Sequence, residues 1–219
     1  MLTIYTVPVA LYCAKLRILM RHKGIDWEEL PPPGGYGSAE YKAIVPSGNL
    51  PAMIHDGFML ADSEAIAEYL EEAFPDVPML PDTIQLRAKA REKSRLHDTR
   101  LEPAVRALYP HVAYHARDPE AVREGGEAIS KHLGALSLLL QTDPLDTESL
   151  WICDCGFAVT FEWINAFETA LGLQVSWPEN VLAYRMTLER FDAVTQEIKA
   201  YRPAMSDYLQ KAYPEAEER

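Results

Sequence analysis

Asp62 and Ser63 stand immediately ahead of the helical pattern Ala65, Ile66, Tyr69, Leu70. An Asp-Ser pair in that position has two uses. It can cap the helix, its side-chain oxygens accepting from the unpaired N–H groups of the first turn. It can also build a ligand site, in which the hydroxyl and free backbone N–H groups take a carboxylate while the acidic neighbour pairs with an ammonium. Together these match the α-amino acid end of a small peptide. Earlier in the chain, the turn SGNLP (47–51) opens a strand with a proline rather than interrupting one. Pro51 there implies a rigid turn with a cis peptide bond after Leu50. The Leu50 N–H and C=O then face outward and can bond an extended peptide as an added strand would.

Other reactive residues read as structural. The three cysteines, Cys13, Cys153 and Cys155, form neither a zinc nor a thioredoxin spacing and are expected to be reduced thiols. Cys13 shares a helical face with Leu16 and Met20, which makes it a core thiol. His111 and His115 are four apart on one expected helix face, but no third ligand and no HExxH accompanies them, so no metal site is expected. A formal net charge of −12, with no basic cluster to offset it, argues against nucleic acid and anionic lipid as partners. With 48% hydrophobic residues in 219, the chain can bury a sizeable core. No run approaches the roughly 20 apolar residues of a membrane span and no secretory leader is evident, so a cytoplasmic protein is expected.

The elements that must position these residues follow from periodicity and punctuation. The chain opens with a strand at 2–6, a helix at 11–23 ending at Gly24, a weak strand at 26–30 and a short helix at 39–44 capped by Ser38. PAMIHDGFML reads as a hairpin turning at Asp56-Gly57, and a helix from Ser63 stops before Pro75. The order is β-α-β-α-β-β-α over residues 1–76. PDVPMLPD supplies a linker at 77–83. From 84 to 219 the pattern is helical only, with kinks expected at Pro103 and Pro110 and later helices at about 119–141, 154–171, 179–199 and 204–212. The fold class is therefore α/β followed by all-α.

The element order, the SGNLP turn, the DG hairpin and DSEAIAEYLEE resemble the thioredoxin-like half of cytosolic glutathione transferases. DCGFAVTFEWI resembles the core helix of their all-helical half. The resemblance implies that Leu50, with Asn49 and Pro51 beside it, binds the cysteinyl backbone of glutathione, and that Asp62 and Ser63 bind its γ-glutamyl end. It also implies a homodimer, a second substrate that is a small apolar electrophile, and no cofactor apart from glutathione itself. Arg100, Tyr109 and His97 lie on the helix that in this family lines the cleft between the domains.

Such an enzyme must ionise the glutathione thiol, and each unit of pKa depression requires about 1.4 kcal/mol of preferential thiolate stabilisation. Aligned on CAKLR, Thr6 occupies the position of the family's Tyr and Ala10 that of its Ser or Cys. Tyr12, in the first helical turn, is the leading candidate donor. Thr6 offers a shorter hydroxyl, Tyr5 should face the opposite side of the strand, and the helix N-terminus supplies unpaired N–H groups. Asn49 cannot supply the charge that some classes place near the glycyl carboxylate, leaving Lys42 or His22 to compensate. Asp154 is expected to cap the core helix, although Trp151 replaces the usual Ser or Thr. The activity implied is thiolate attack on an electrophile. The alternatives are a non-catalytic glutathione-binding protein and a glutathione-dependent isomerase or dehalogenase.

Overall fold

In the computed structural model, which describes residues 1–142 and 145–213, Leu2 and Ile4 of β1 (Leu2–Tyr5) point into the core and begin a four-stranded sheet. The acidic tail PEAEER, read as carrying no chemistry, lies outside the described residues. After β1 come α1 (Leu11–Lys23), β2 (Glu28–Leu30), α2 (Ala39–Ile44), β3 (Ala52–His55), β4 (Phe58–Ala61) and α3 (Ser63–Ala73). The sheet order is β2-β1-β3-β4, with β1 and β2 parallel and the other pairs antiparallel. Asp56 (φ 48°) and Gly57 (φ 86°) form the two-residue hairpin turn, whose positive φ values match the twist of the flanking strands. The Leu50–Pro51 peptide bond is cis, and Ser38 caps α2 by accepting from the Tyr41 N–H.

The helical part comprises α4 (Ile84–Leu96), a π turn (His97–Leu101), α5 (Glu102–Arg106), α6 (Pro119–Thr142), α7 (Ile152–Leu171), α8 (Glu179–Leu188) and α9 (Asp192–Leu209). Two expectations are corrected here. The break expected between residues 199 and 204 falls instead after α8, and α9 runs through Pro203. Burial of Ile198, Tyr201 and Met205 on one face outweighs the hydrogen bond that the proline removes. His111 and His115 do not share a helix face, because they lie in separate short 3-10 turns, Tyr109–His111 and Tyr114–Ala116. Pro103 sits where the π turn passes directly into α5, inside a continuous helical run, and Pro110 lies in the first of these 3-10 turns.

Helix α1 packs against α3 of the sheet layer and against α7 and α9, so it is buried on nearly all sides. Its apolar residues Leu11, Ala14, Leu16, Ile18, Leu19 and Met20 are joined in the interior by Lys15, Arg17 and Lys23. Lys23 Nζ donates to the carbonyls of Phe74 (2.9 Å) and Val77 (2.5 Å) and pairs with Glu71 (2.6 Å), which gathers the chain that leads to α4 against the end of α1.

Asp154 starts α7 as expected. One carboxylate oxygen accepts from the Trp151 N–H (2.9 Å), and the other accepts from the Tyr184 hydroxyl (2.5 Å) and from Lys93 (3.1 Å). Asp154, Tyr184 and Lys93 are buried, so Asp154→Ala removes a cap together with the carboxylate that faces the Lys93 ammonium. The expected loss is about 3 kcal/mol or more of unfolding free energy in urea titrations followed by circular dichroism. An unchanged midpoint would mean that the cap and the pair contribute nothing.

Candidate functional site

Two adjoining cavities open along the line where the sheet layer meets α4, α5, α7 and α9. The larger, about 450 Å³, is polar and is lined by Asn49, Leu50, Pro51, Asp62, Ser63 and, from the helical side, Arg95, Asp98 and Arg106. The smaller, about 320 Å³, is apolar and is walled chiefly by Val7, Val9, Leu11, Tyr109, Trp163 and Tyr208. Tyr12, Tyr36, Leu50 and Arg106 belong to both walls and mark the junction.

Asp62 and Ser63 both line the polar chamber. Asp62 is the N-cap of α3, and its Oδ1 accepts from the N–H groups of Glu64 (3.0 Å) and Ala65 (3.1 Å). Its backbone sits at φ 86°, a conformation costly for a residue with a side chain, as is common at ligand sites. Ser63 is the first helical residue and does no capping. Its hydroxyl makes no hydrogen bond to any described residue and faces the cavity, free to donate to an anion at the helix N-terminus. Leu50 lies outside the sheet ladder, which starts at Ala52, and the Tyr41 hydroxyl donates to the Asn49 carbonyl (2.9 Å), fixing the turn.

Beneath this chamber runs a buried charge network. Lys15 Nζ donates to Glu64 (2.6 Å) and lies 3.2 Å from Asp98. The His97 Nδ1–H donates to Asp98 (2.7 Å), while Nε2 meets the Thr160 hydroxyl (2.7 Å). Burial alone would raise the Asp98 carboxyl, but the hydrogen bond from His97 and the charge of Lys15 outweigh it and hold the group at about 2. His97, expected near a second substrate, is instead packed inside, close enough to Gly156 that a Cβ there would lie 2.5 Å from the imidazole.

At the junction the Tyr12 hydroxyl donates to Glu102 Oε2 (3.1 Å) and approaches the Asp98 carbonyl (3.4 Å). Burial, then the charges of Glu102 and Asp98, push its pKa far above the ordinary value, so it retains its proton. Helix α1 begins here. Its N-cap, Ala10, has no side chain to satisfy the first-turn N–H groups, and those of Leu11 and Tyr12 are left at the cavity edge.

Thr6 is not part of either wall. Its hydroxyl donates to the Val7 carbonyl (3.3 Å) and accepts from Arg17 (3.2 Å), so it serves the Arg17–Glu197 ion pair in the interior. Arg100 is exposed and outside both cavities, with its guanidinium on the Thr99 carbonyl. Arg95, Asp98, Glu102 and Arg106, spaced three or four apart along the helical run, share the cavity face, while Arg100 falls off it. Arg95 and Arg106, missed in the sequence, are the cations of the polar chamber. Neither Lys42 nor His22 lines it. Tyr109, in the 3-10 turn after α5, lines the apolar chamber. Among the described residues no group of three potential ligands is placed to hold a metal, and no helix is long and apolar enough to cross a membrane.

Residues 4–78 match the family model described as glutathione S-transferase, N-terminal domain. The chain is 28% identical over 142 residues to glutathione S-transferase 1 of Dianthus caryophyllus, covering 63% of this chain and 64% of that one. It is 29% identical over 145 residues to maleylacetoacetate isomerase of Pseudomonas aeruginosa, covering 63% and 68%. The chain spans about six tenths of the length of several curated relatives that it matches. A holo structure described as maleyl pyruvate isomerase, a bacterial zeta-class glutathione S-transferase, superposes with a TM-score of 0.74 at 24% identity, covering 92% of this chain and 98% of that one. At that identity the likeness is one of fold.

The Asp98 network carries a pH signature. With its folded pKa near 2 against an ordinary 3.8, Asp98 contributes stability that is fully present above about pH 4 and is lost as pH falls through 2. Asp98→Asn is expected to be less stable by about 2 kcal/mol at pH 7 and to converge on the parent protein only below about pH 2. Urea titrations across that range check it, and a pH-independent gap would contradict it.

Proposed function

We propose, from the match of residues 4–78 to the glutathione S-transferase N-terminal domain model and from a fold like that of a solved glutathione S-transferase over 92% of the chain, that the protein binds glutathione in the polar chamber and adds its thiolate to a small apolar electrophile held in the apolar one. The observation that carries the reading is the free Ser63 hydroxyl at the α3 N-terminus, facing a chamber that ends at the uncapped N-terminus of α1. Ser63, through its hydroxyl and its own N–H, takes the γ-glutamyl carboxylate, and Asp62 and Asp98 face its ammonium. Leu50 pairs with the cysteinyl backbone beside Asn49 and Pro51, and Arg95 offers the cation that Asn49 lacks.

The sulfur then lies near the N–H groups of Leu11 and Tyr12, which favour the thiolate. Tyr12, a hydroxyl that keeps its proton, turns from Glu102 to donate to the sulfur. Thr6, engaged with Arg17, takes no part. In the same proposal residues 1–76 hold glutathione, 77–83 link, 84–219 shape the second site, and the protein is a cytoplasmic homodimer. A second reading, in which glutathione is recycled by an isomerase, is favoured by the match to a protein named maleylacetoacetate isomerase.

Calorimetric titration with glutathione tests the reading. Ser63→Ala is expected to weaken binding by about 1 to 3 kcal/mol through loss of a charge-assisted hydrogen bond. Equal affinities would remove Ser63 from the site. Ultraviolet thiolate absorbance against pH tests the activator. Tyr12→Phe should raise the bound thiol pKa by about one unit and cut turnover about 10-fold, while Thr6→Val leaves the titration unmoved. If Tyr12→Phe also leaves it unmoved, the α1 N–H groups act alone.

A further inference from the structure

Tyr36 belongs to the walls of both chambers, yet it is left out of the packing around them. The residue is 61% exposed, and among the described residues its ring meets no other ring and its hydroxyl has no hydrogen-bond partner. Glycines flank it. Gly34 (φ 68°), Gly35 (φ 95°) and Gly37 (φ 72°) all hold the left-handed backbone that a side chain disfavours, and the space where a Cβ would stand at Gly35 and Gly37 is open. The base of the loop, by contrast, is fixed. The Ser38 hydroxyl donates to the Pro33 carbonyl (2.6 Å) and accepts from the Tyr41 N–H (3.0 Å), while the Gly35 N–H donates to the Pro32 carbonyl (2.9 Å). Through the Tyr41 hydroxyl on the Asn49 carbonyl, the same frame holds the turn that carries Leu50. The loop is therefore a glycine tip on a rigid base, and its one aromatic ring can lose its exposed apolar surface only against what the chambers contain.

We propose that Tyr36 is a binding residue shared by the two sites and that it couples them. The inference rests on the glutathione reading above. Glutathione in the polar chamber gives the ring a surface to settle on. The settled ring then adds a sheet-side face to the apolar chamber, whose helical side is walled by Tyr109, Trp163 and Tyr208. An apolar ligand that arrives second meets a ring already ordered, so it binds more tightly by the ordering cost that glutathione has met. Linkage requires the converse: the apolar ligand strengthens glutathione binding by the same factor.

2-Naphthol, flat and apolar with no electrophilic carbon, reads this coupling without turnover. Equilibrium dialysis is expected to show it bound about 10-fold more tightly in saturating glutathione than without, and calorimetry to show a matching gain for glutathione when naphthol is present. Tyr36→Ala, an exposed substitution, should bring both factors close to one while glutathione alone still binds. Tyr36→Phe keeps the ring and should keep the coupling. Cleavage by chymotrypsin after Tyr36, identified by mass, should slow when glutathione is added. Coupling that survives in Tyr36→Ala would assign it to direct contact between the ligands and overturn the role of Tyr36. Naphthol affinities that glutathione does not change, no uptake of naphthol by the loaded protein, or an unaltered cleavage rate would overturn it too, and each leaves the glutathione reading intact. Failure of wild type to bind glutathione would overturn both.

Discussion

Lys15 is the constraint around which the molecule is arranged. A lysine at the centre of the most buried helix is costly unless opposite charges meet it, and here Glu64 comes from the sheet side and Asp98 from the helical side. Burial pulls its pKa down, but the two carboxylates outweigh that and hold it above its ordinary value. The pairing fixes where α3 and the π turn stand relative to α1, and therefore where Ser63 and Asp98 face the cavity. Arg17, two residues on and so on the other side of the helix, repeats the pattern, reaching Glu197 of α9 (2.7 Å). Helix α1 is thus tied electrostatically to elements on both sides of it.

The loop that leads into α1 is held in the same way. The Tyr201 hydroxyl donates to the Val9 carbonyl (2.6 Å) and accepts from the Trp163 indole N–H (2.9 Å). The uncapped N-terminus at Ala10 is therefore positioned from the helical domain although it belongs to the sheet domain in sequence. Neither chamber is complete without both parts of the chain. The polar one takes its turn and helix N-terminus from the first part and its cations from α4 and α5, while the apolar one takes the Val7–Leu11 loop from the first and its aromatic wall from the second.

How much of this was legible in the sequence depended on how local its cause is. The Asp56-Gly57 hairpin, the Ser38 cap, the Asp62-Ser63 helix start and the cis bond before Pro51 follow from residues within a few positions of each other. Asp154 could be read as a cap even with Trp151 ahead of it. Lys15 and Arg17 look like solvated helix positions, because the carboxylates that bury them lie far along the chain. Arg95 and Arg106 were missed, and Arg100 chosen in their place, because which face of this helical run meets the cavity is set by packing against distant elements, not by residues nearby in the chain. Thr6 fits its family position by alignment, yet its hydroxyl is claimed by Arg17, a partner that alignment does not weigh.

The ion pairs across α1 also govern inheritance. A chimera that joins the first 76 residues of this chain to the helical half of a relative would keep the covalent connection and the sheet, but it would leave Lys15 and Arg17 facing whatever stands in place of Asp98 and Glu197. The two halves can be exchanged only where those carboxylates travel with them. The division between sheet and helices, plain in the pattern of elements, is therefore a poor guide to which segments can evolve independently.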